Sequence, residues 1–229
     1  MNANSNIFTN KKILIYGLGK TGIATSNFLK KRNKIYLFDD KKKDKSKNKI
    51  LKTKFDVIII SPGINKDKCK LKFLLKKNSN KIYTDFDVFK TFYDNLCITI
   101  TGTNGKSTTS TLLYQILKEQ GYDAKLAGNV GFPILSIKNI KPKTIFVIEA
   151  SSYQLDYSRI YNSKYSAILN IANDHLERHG TLNNYINAKF KLIINSKLNS
   201  IAYLNKNDIN INNFLKKKKL KTKILKVNT

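Results

Sequence analysis

The chain has 229 residues, and 43 Lys and Arg against 15 Asp and Glu give a formal net charge of +28. That length holds one large or two modest domains with buried cores, and it excludes a peptide-scale scaffold. With 41% hydrophobic residues, the charge decorates a folded body and is not that of a disordered polyelectrolyte.

The first elements alternate in type. Apolar residues 13–16 predict a buried strand that enters Gly17-Leu18-Gly19-Lys20-Thr21-Gly22, followed by a helix through Phe28 and Leu29. A second strand at 35–38 ends in Asp39-Asp40, and a third at 57–60 ends in Ser61-Pro62-Gly63. Residues 41–54 are dense in lysine and read as surface. A helix is expected at 71–77, a short strand at 81–83 and a helix at 85–93. Strands apolar at every position have no wet face, which predicts a parallel sheet covered by helices.

A boundary is expected at 94–96, where a second strand-loop-helix unit opens. Its strand, 97–100, runs into Thr101-Gly102-Thr103-Asn104-Gly105-Lys106-Ser107-Thr108 and then a helix to about residue 120, stopped by Gly121. Next come Gly128-Asn129-Val130-Gly131, a strand at 145–148 with Glu149 directly after it, and a strand at 167–171 leading to Asp174-His175. Beyond residue 200 only short strands at 201–204 and 223–227 stand out from the Asn and Lys.

Only three of the 43 basic residues are arginines, Arg32, Arg159 and Arg178. Arginine supplies the bidentate contacts to guanine and phosphate, so no specific nucleic acid partner is expected. Lys travels here with abundant Asn and Ile, a bias that A/T-rich codons alone would produce. Cys69 and Cys97 form no CxxC and have no ligand spacing around them, so neither a disulfide framework nor zinc is expected. No apolar run approaches ~18 residues and the N-terminal stretch has no signal core, so a soluble protein of the reducing cytoplasm is expected, with no membrane partner.

Two loops carry chemistry. The first matches GxGxxG between a strand and a helix, with an acid, Asp39, 17 residues after Gly22. Its glycines admit a diphosphate close to the backbone, and the helix N-terminus offers amides; NAD or any nucleotide diphosphate suits it. The second is a shortened phosphate loop, TGTNGKST, with Ile100 standing where the longer GxxxxGK[ST] form has its first glycine. Amides of 102–106 can wrap phosphate oxygens, Lys106 can reach the β and γ phosphates, and Ser107 can hold Mg²⁺. Glu149 and His175 each follow a strand beside this loop, where the crevice of an open α/β sheet lies, and Glu149 suits Mg²⁺.

The set GLGKTG, SPGI, TGTNGKST, GNVG, EASSYQL, NDHLERHG and YINAK resembles the bacterial Mur ligase family, and EASSYQL with a short first domain favours its D-glutamate-adding branch. The resemblance covers about residues 12 to 205. It implies a Rossmann-like domain over 1–94 that holds the UDP-linked substrate, and a P-loop ATPase-type α/β central domain over 95–229. Lys20, Thr21, Asp39, Ser61, Pro62 and Gly63 are then expected at the UDP moiety, and Asn129, Ser151 and Gln154 at the muramoyl-peptide end. Gly102, Thr103, Asn104, Gly105, Lys106, Ser107 and Thr108 are expected on ATP. Ser107 and Glu149 match ligands of one Mg²⁺, and His175 and Lys189 those of a second, where the family's lysine is carbamylated. Lys106, His175 and Lys189 are the catalytic candidates. The implied reaction joins D-glutamate to UDP-N-acetylmuramoyl-L-alanine through an acyl phosphate, in peptidoglycan synthesis.

Ligases of this kind are about twice as long. The central domain is therefore expected to be truncated and the chain inactive alone, with a separate chain a possible source of the C-terminal domain. Alternative readings are another amino-acid-adding Mur ligase, a folylpolyglutamate-type ligase, or an NAD-binding dehydrogenase; the last leaves TGTNGKST, Glu149 and His175 without purpose.

Overall fold

Central strands made mostly of large apolar residues need cover on both faces, and the chain supplies it by returning through helices. The computed structural model describes residues 6–42 and 46–228. Two units form: the described residues up to Tyr93 with 133–137 and 157–159, and a second from 94–132, 138–156 and 160 onward.

In the first unit, β1 (Lys12–Tyr16), α1 (Lys20–Leu29), β2 (Lys34–Phe38), α2 (Lys47–Lys52), β3 (Val57–Ile60), α3 (Lys72–Lys77), β4 (Ile82–Tyr83) and α4 (Asp85–Phe92) follow one another. The sheet order is β2-β1-β3-β4 and every pairing is parallel. The chain leaves β1 to one side for β2 and returns on the other as β3, so a crevice opens beyond the C-terminal ends of β1 and β3. On one face of this sheet Leu14, Tyr16, Ile58 and Ile60 pack with Phe38, Phe55, Leu71 and Leu75. The lysine-dense stretch read as plain surface contains α2, docked by Ile50, which is 1% exposed; positions 43–45 lie outside the described residues. Thr84 and Asp87 cap α4 reciprocally. Asp87 also accepts from the Ser158 hydroxyl at 2.9 Å and the Arg159 amide at 3.0 Å, which ties residues 157–159 to this unit.

The second unit contains β5 (Cys97–Thr101), α5 (Lys106–Glu119), β6 (Ala124–Gly128), β7 (Ile145–Glu149), α6 (Ser152–Tyr157), β8 (Tyr165–Ile168), α7 (Leu176–His179), α8 (Leu182–Ile194), β9 (Ile201–Asn205), α9 (Ile209–Lys217) and β10 (Lys223–Val227). Its sheet, β10-β9-β8-β5-β7-β6, is parallel throughout. β5 therefore ends between β7 and β8, and the segments leaving these three strands meet at one edge. The alternating α/β architecture with parallel sheets expected from the sequence is what the chain adopts.

Two boundaries differ from expectation in ways that matter for the site. Glu149 is the last residue of β7 and wholly buried, not a loop residue. β8 stops at Ile168, because 169–172 hydrogen-bond with the phosphate loop instead of extending the sheet. No helix is expected from the sequence at α8 or α9, whose N-termini are capped by Thr181 and Asp208. Among the described residues no helix is long and apolar enough to cross a membrane.

Candidate functional site

The phosphate loop joins β5 to α5. Gly105 sits at the helix N-cap with φ +80°, a left-handed conformation that disfavours any side chain. No side chain caps α5, so its first-turn amides are offered outward with the positive end of the helix dipole. Asn170, beyond β8, holds the loop in shape. Its side-chain oxygen accepts from the Asn104 amide at 2.9 Å and its amide donates to the Asn104 carbonyl at 3.2 Å, while its own carbonyl accepts from the Thr103 amide at 2.9 Å. The Lys106 ammonium donates to the Thr103 carbonyl at 2.7 Å, so its charge lies folded over the loop. Ser107 and Thr108 are exposed in the first turn of α5.

Beside the loop, the end of β7 presents a carboxylate with one oxygen uncommitted. Asn129 donates to Glu149 Oε1 at 2.7 Å, and its backbone amide donates to the Glu149 carbonyl at 2.9 Å. Glu149 Oε2 is buried without a hydrogen-bond partner, a costly arrangement for a carboxylate that a cation would relieve. Gly128 makes this approach possible, since a Cβ there would stand 2.2 Å from the Glu149 carbonyl oxygen.

Lys189, on α8, reaches the loop from the other side. It is 1% exposed, and its ammonium donates to the Gly102 carbonyl at 2.7 Å. Burial, then the charge of Lys106, pulls its pKa down to about 7. The Tyr185 ring lies 4.4 Å from this nitrogen, and the Tyr185 hydroxyl is 3.0 Å from that of Thr103. His175 stands at φ 53°, with Nε2 3.4 Å from an Asp174 carboxylate oxygen. Tyr153, His175, His179 and Tyr185 form one set of ring contacts with centroids 4.8 to 6.2 Å apart. His179 Nε2 is 3.0 Å from the Ser152 hydroxyl, and burial pushes its pKa down.

Gly102–Ser107, Lys189, Asn129 with Glu149, and His175 are thus all carried on elements that meet around the end of β5. Ser151 and Gln154 spend their side chains differently. The Ser151 amide and hydroxyl donate to Gln154 Oε1 at 2.9 and 3.0 Å, and the Gln154 amide donates back to the Ser151 hydroxyl at 3.3 Å. This is a reciprocal cap on α6. Three residues assigned no role from the sequence belong to the site: Asn170, Tyr185 and His179. A strand-end position marks Asn170, and Tyr185 lies within YINAK, but their contacts arise from tertiary packing. Among the described residues no three His, Cys, Asp or Glu side chains gather in a metal-binding set; a hard cation shared with phosphate oxygens needs only one or two.

In the first unit the glycine loop closes on itself. Ser61 donates to the Gly17 carbonyl at 2.7 Å, and a Cβ on Gly22 would lie 1.8 Å from that same oxygen. Asp39 accepts from the Leu18 amide at 2.6 Å and the Lys41 amide at 2.8 Å. The Leu18 bond leads in holding its carboxyl below the usual range. Lys20 and Thr21 open α1, whose N-cap Gly19 carries no side-chain cap. Pro62 and Gly63 lie beyond β3, and the space around Gly63 is open.

Residues 100–229 match the Mur ligase middle domain. The chain belongs to the Mur ligase family. Curated relatives named UDP-N-acetylmuramoylalanine–D-glutamate ligase include that of Wolbachia pipientis wMel, 36% identical over 210 residues, covering 84% of this chain and 41% of the relative. That of Clostridioides difficile is 35% identical over 221 residues, with 86% and 48% covered. This Mur ligase chain therefore spans about half the length of the curated relatives it matches. Among solved structures, UDP-N-acetylmuramate:L-alanyl-gamma-D-glutamyl-meso-diaminopimelate ligase from Neisseria meningitides aligns with TM-score 0.59 at 15% identity, over 95% of this chain and 78% of that one. A murein peptide ligase from Psychrobacter arcticus 273-4 aligns with TM-score 0.54 at 15% identity, over 95% and 53%. These likenesses establish the fold.

Proposed function

We propose that the chain carries the nucleotide-sugar and ATP sites of a UDP-N-acetylmuramoylalanine–D-glutamate ligase, working in cytoplasmic peptidoglycan precursor synthesis. The observation that best supports this reading is the meeting of uncapped α5 amides, Lys106, the unpartnered Glu149 oxygen and buried Lys189 at the end of β5. That set suits a nucleoside triphosphate with a hard cation. Residues 102–108 hold its phosphates.

In the proposed reaction the γ-phosphoryl group passes to the alanine carboxylate of UDP-N-acetylmuramoyl-L-alanine, giving an acyl phosphate and ADP. The amine of D-glutamate attacks the acyl carbon, an amide bond forms, and orthophosphate leaves with a proton released. Lys106 turns from the Thr103 carbonyl to the phosphates and offsets the charge that accumulates. Two Mg²⁺, one held by Ser107 and Glu149 and the other by His175 and Lys189, would neutralise phosphate oxygens. Lys189 joins that set once its neutral amine adds CO₂, forming an N–C bond and losing a proton; a pKa near 7 supplies the neutral amine. The first unit takes the UDP moiety at the crevice of β1 and β3, with Lys20, Thr21, Ser61, Pro62 and Gly63 around it and Asp39 fixing the loop.

Calorimetric titration with ATP and Mg²⁺ tests the assignment. Saturable one-to-one binding that falls at least tenfold in Lys106→Ala and loses its Mg²⁺ dependence in Glu149→Gln is expected. Equal binding by wild type and both variants would refute it.

A further inference from the structure

We propose that Asn104 in the phosphate loop is a site of spontaneous covalent modification, at which the Gly105 amide nitrogen displaces the side-chain amide and a carboxylate finally replaces it. The sequence singles the position out. Asparagine is abundant in this chain, yet Asn104-Gly105 is the one place where glycine follows it. Elsewhere a Cβ on the next residue shields the attacking nitrogen, as in Asn78-Ser79, Asn162-Ser163, Asn195-Ser196 and Asn199-Ser200.

Both reacting groups are free to meet. Asn104 and Gly105 are exposed, and among the described residues neither the Asn104 side chain nor the Gly105 amide has a hydrogen-bond partner. Asn104 is held by its backbone instead, its amide and carbonyl bonding Asn170 at 2.9 and 3.2 Å. Turning the side chain toward residue 105 therefore breaks no bond. By contrast, Asn78 and Asn162 donate their side-chain amides to the Leu74 and Ile160 carbonyls at 2.9 and 3.0 Å. The surroundings also activate the nitrogen. Gly105 is the N-cap of α5, at the positive end of that helix, and the Lys106 ammonium is folded onto the neighbouring Thr103 carbonyl at 2.7 Å. Both charges favour the nitrogen anion left when hydroxide removes the Gly105 amide proton.

That nitrogen adds to Cγ of Asn104, an N–C bond forms, the Cγ–Nδ2 bond breaks, and ammonia leaves with a proton taken from water. Water then opens the five-membered imide at either carbonyl, giving aspartate or isoaspartate at position 104. Each product sets a negative charge among the amides of 102–106, where an incoming phosphate would meet it. Isoaspartate also adds one carbon to the backbone between the nitrogens of residues 104 and 105, which shifts Gly105 from its N-cap register. Conversion is independent of what the loop binds; only the loss of phosphate binding rests on the phosphate-site reading.

The test incubates the 229-residue chain beside a synthetic peptide of residues 101–108 in mildly alkaline buffer. Peptide mass spectrometry with chromatographic separation follows asparagine, aspartate and isoaspartate at position 104, and circular dichroism checks that the chain stays folded. The folded chain should convert within tenfold of the peptide's rate and at least tenfold faster than at its Asn-Ser pairs. Saturating inorganic triphosphate with Mg²⁺ should slow it at least fivefold by engaging the Gly105 amide. Aged protein should lose calorimetric ATP binding in proportion to the fraction converted, and Asn104→Asp should bind ATP at least tenfold more weakly than Asn104→Gln. Conversion more than tenfold slower than in the peptide, or no faster than at the Asn-Ser pairs, would overturn the proposal. Conversion at the expected rate with ATP binding undiminished would overturn its consequence for the loop. If fresh protein binds no ATP, the phosphate-site reading fails, while conversion at the expected rate still supports the modification.

Discussion

Replacing Lys189 by Met removes a cation that the fold holds at a cost. Burial displaces its pKa from 10.5 to about 7, and at about 1.4 kcal/mol per pH unit this amounts to roughly 5 kcal/mol unfavourable at neutral pH. The lost bond to the Gly102 carbonyl at 2.7 Å returns about 1 to 2 kcal/mol of that, and relaxation around the charge a similar share. Lys189→Met should therefore be more stable by roughly 2 kcal/mol at pH 7, or about 4–8 °C in melting temperature. The folded state binds fewer protons than the unfolded one between about pH 7 and 10.5, so wild-type stability gains with rising pH across that window, and the variant lacks this gain. Urea unfolding followed by far-UV circular dichroism, at pH 7 and pH 10 in buffer free of CO₂, nucleotide and divalent cation, reads both effects. Amide exchange in α8 locates them. A variant less stable than wild type by more than 1 kcal/mol, or one with the wild-type pH slope, would refute the reasoning.

Other outcomes follow from single contacts. Gly128→Ala places a Cβ 2.2 Å from a carbonyl oxygen at φ +105° and should cost about 3 kcal/mol in urea unfolding, whereas Gly63→Ala, with open space and no such φ, should cost under about 0.5 kcal/mol. Asn170→Ala removes two bonds to Asn104; ATP affinity should fall about tenfold while the circular dichroism spectrum is retained. Asp85 is buried with one oxygen unpartnered, and burial raises its pKa from 3.8 to about 7. Its folded state holds the proton longer, so its contribution is present below about pH 4 and lost as pH rises to 7. The loss is at most roughly 4 kcal/mol, and Asp85→Asn should flatten the stability profile between those values.

The core of each sheet was legible because β1, β3 and β7 are apolar at nearly every position, a pattern that a twice-covered parallel strand explains, while β5 was marked by the phosphate loop that follows it. The phosphate loop was legible for a different reason: glycine, lysine and hydroxyl residues must occupy fixed places for amides and cation to converge. α2 was hidden because a single residue, Ile50, docks it among lysines. α9 was masked because Ile211 alone of its residues is buried among Asn and Lys, and α8, which buries seven residues, was masked by the Asn and Lys interleaved with them. The contacts of Asn170 and Tyr185 were not legible, since an asparagine after a strand and a tyrosine on a helix are common. Only the fold brings them to Asn104, Thr103 and Lys189.

Calorimetric titration of the chain with UDP-N-acetylmuramoyl-L-alanine, in the presence of ADP and Mg²⁺, tests the central claim most directly. One-to-one binding that UDP competes away and NADH does not is predicted; no binding of the UDP-sugar, or one-to-one binding of NADH in its place, would contradict it.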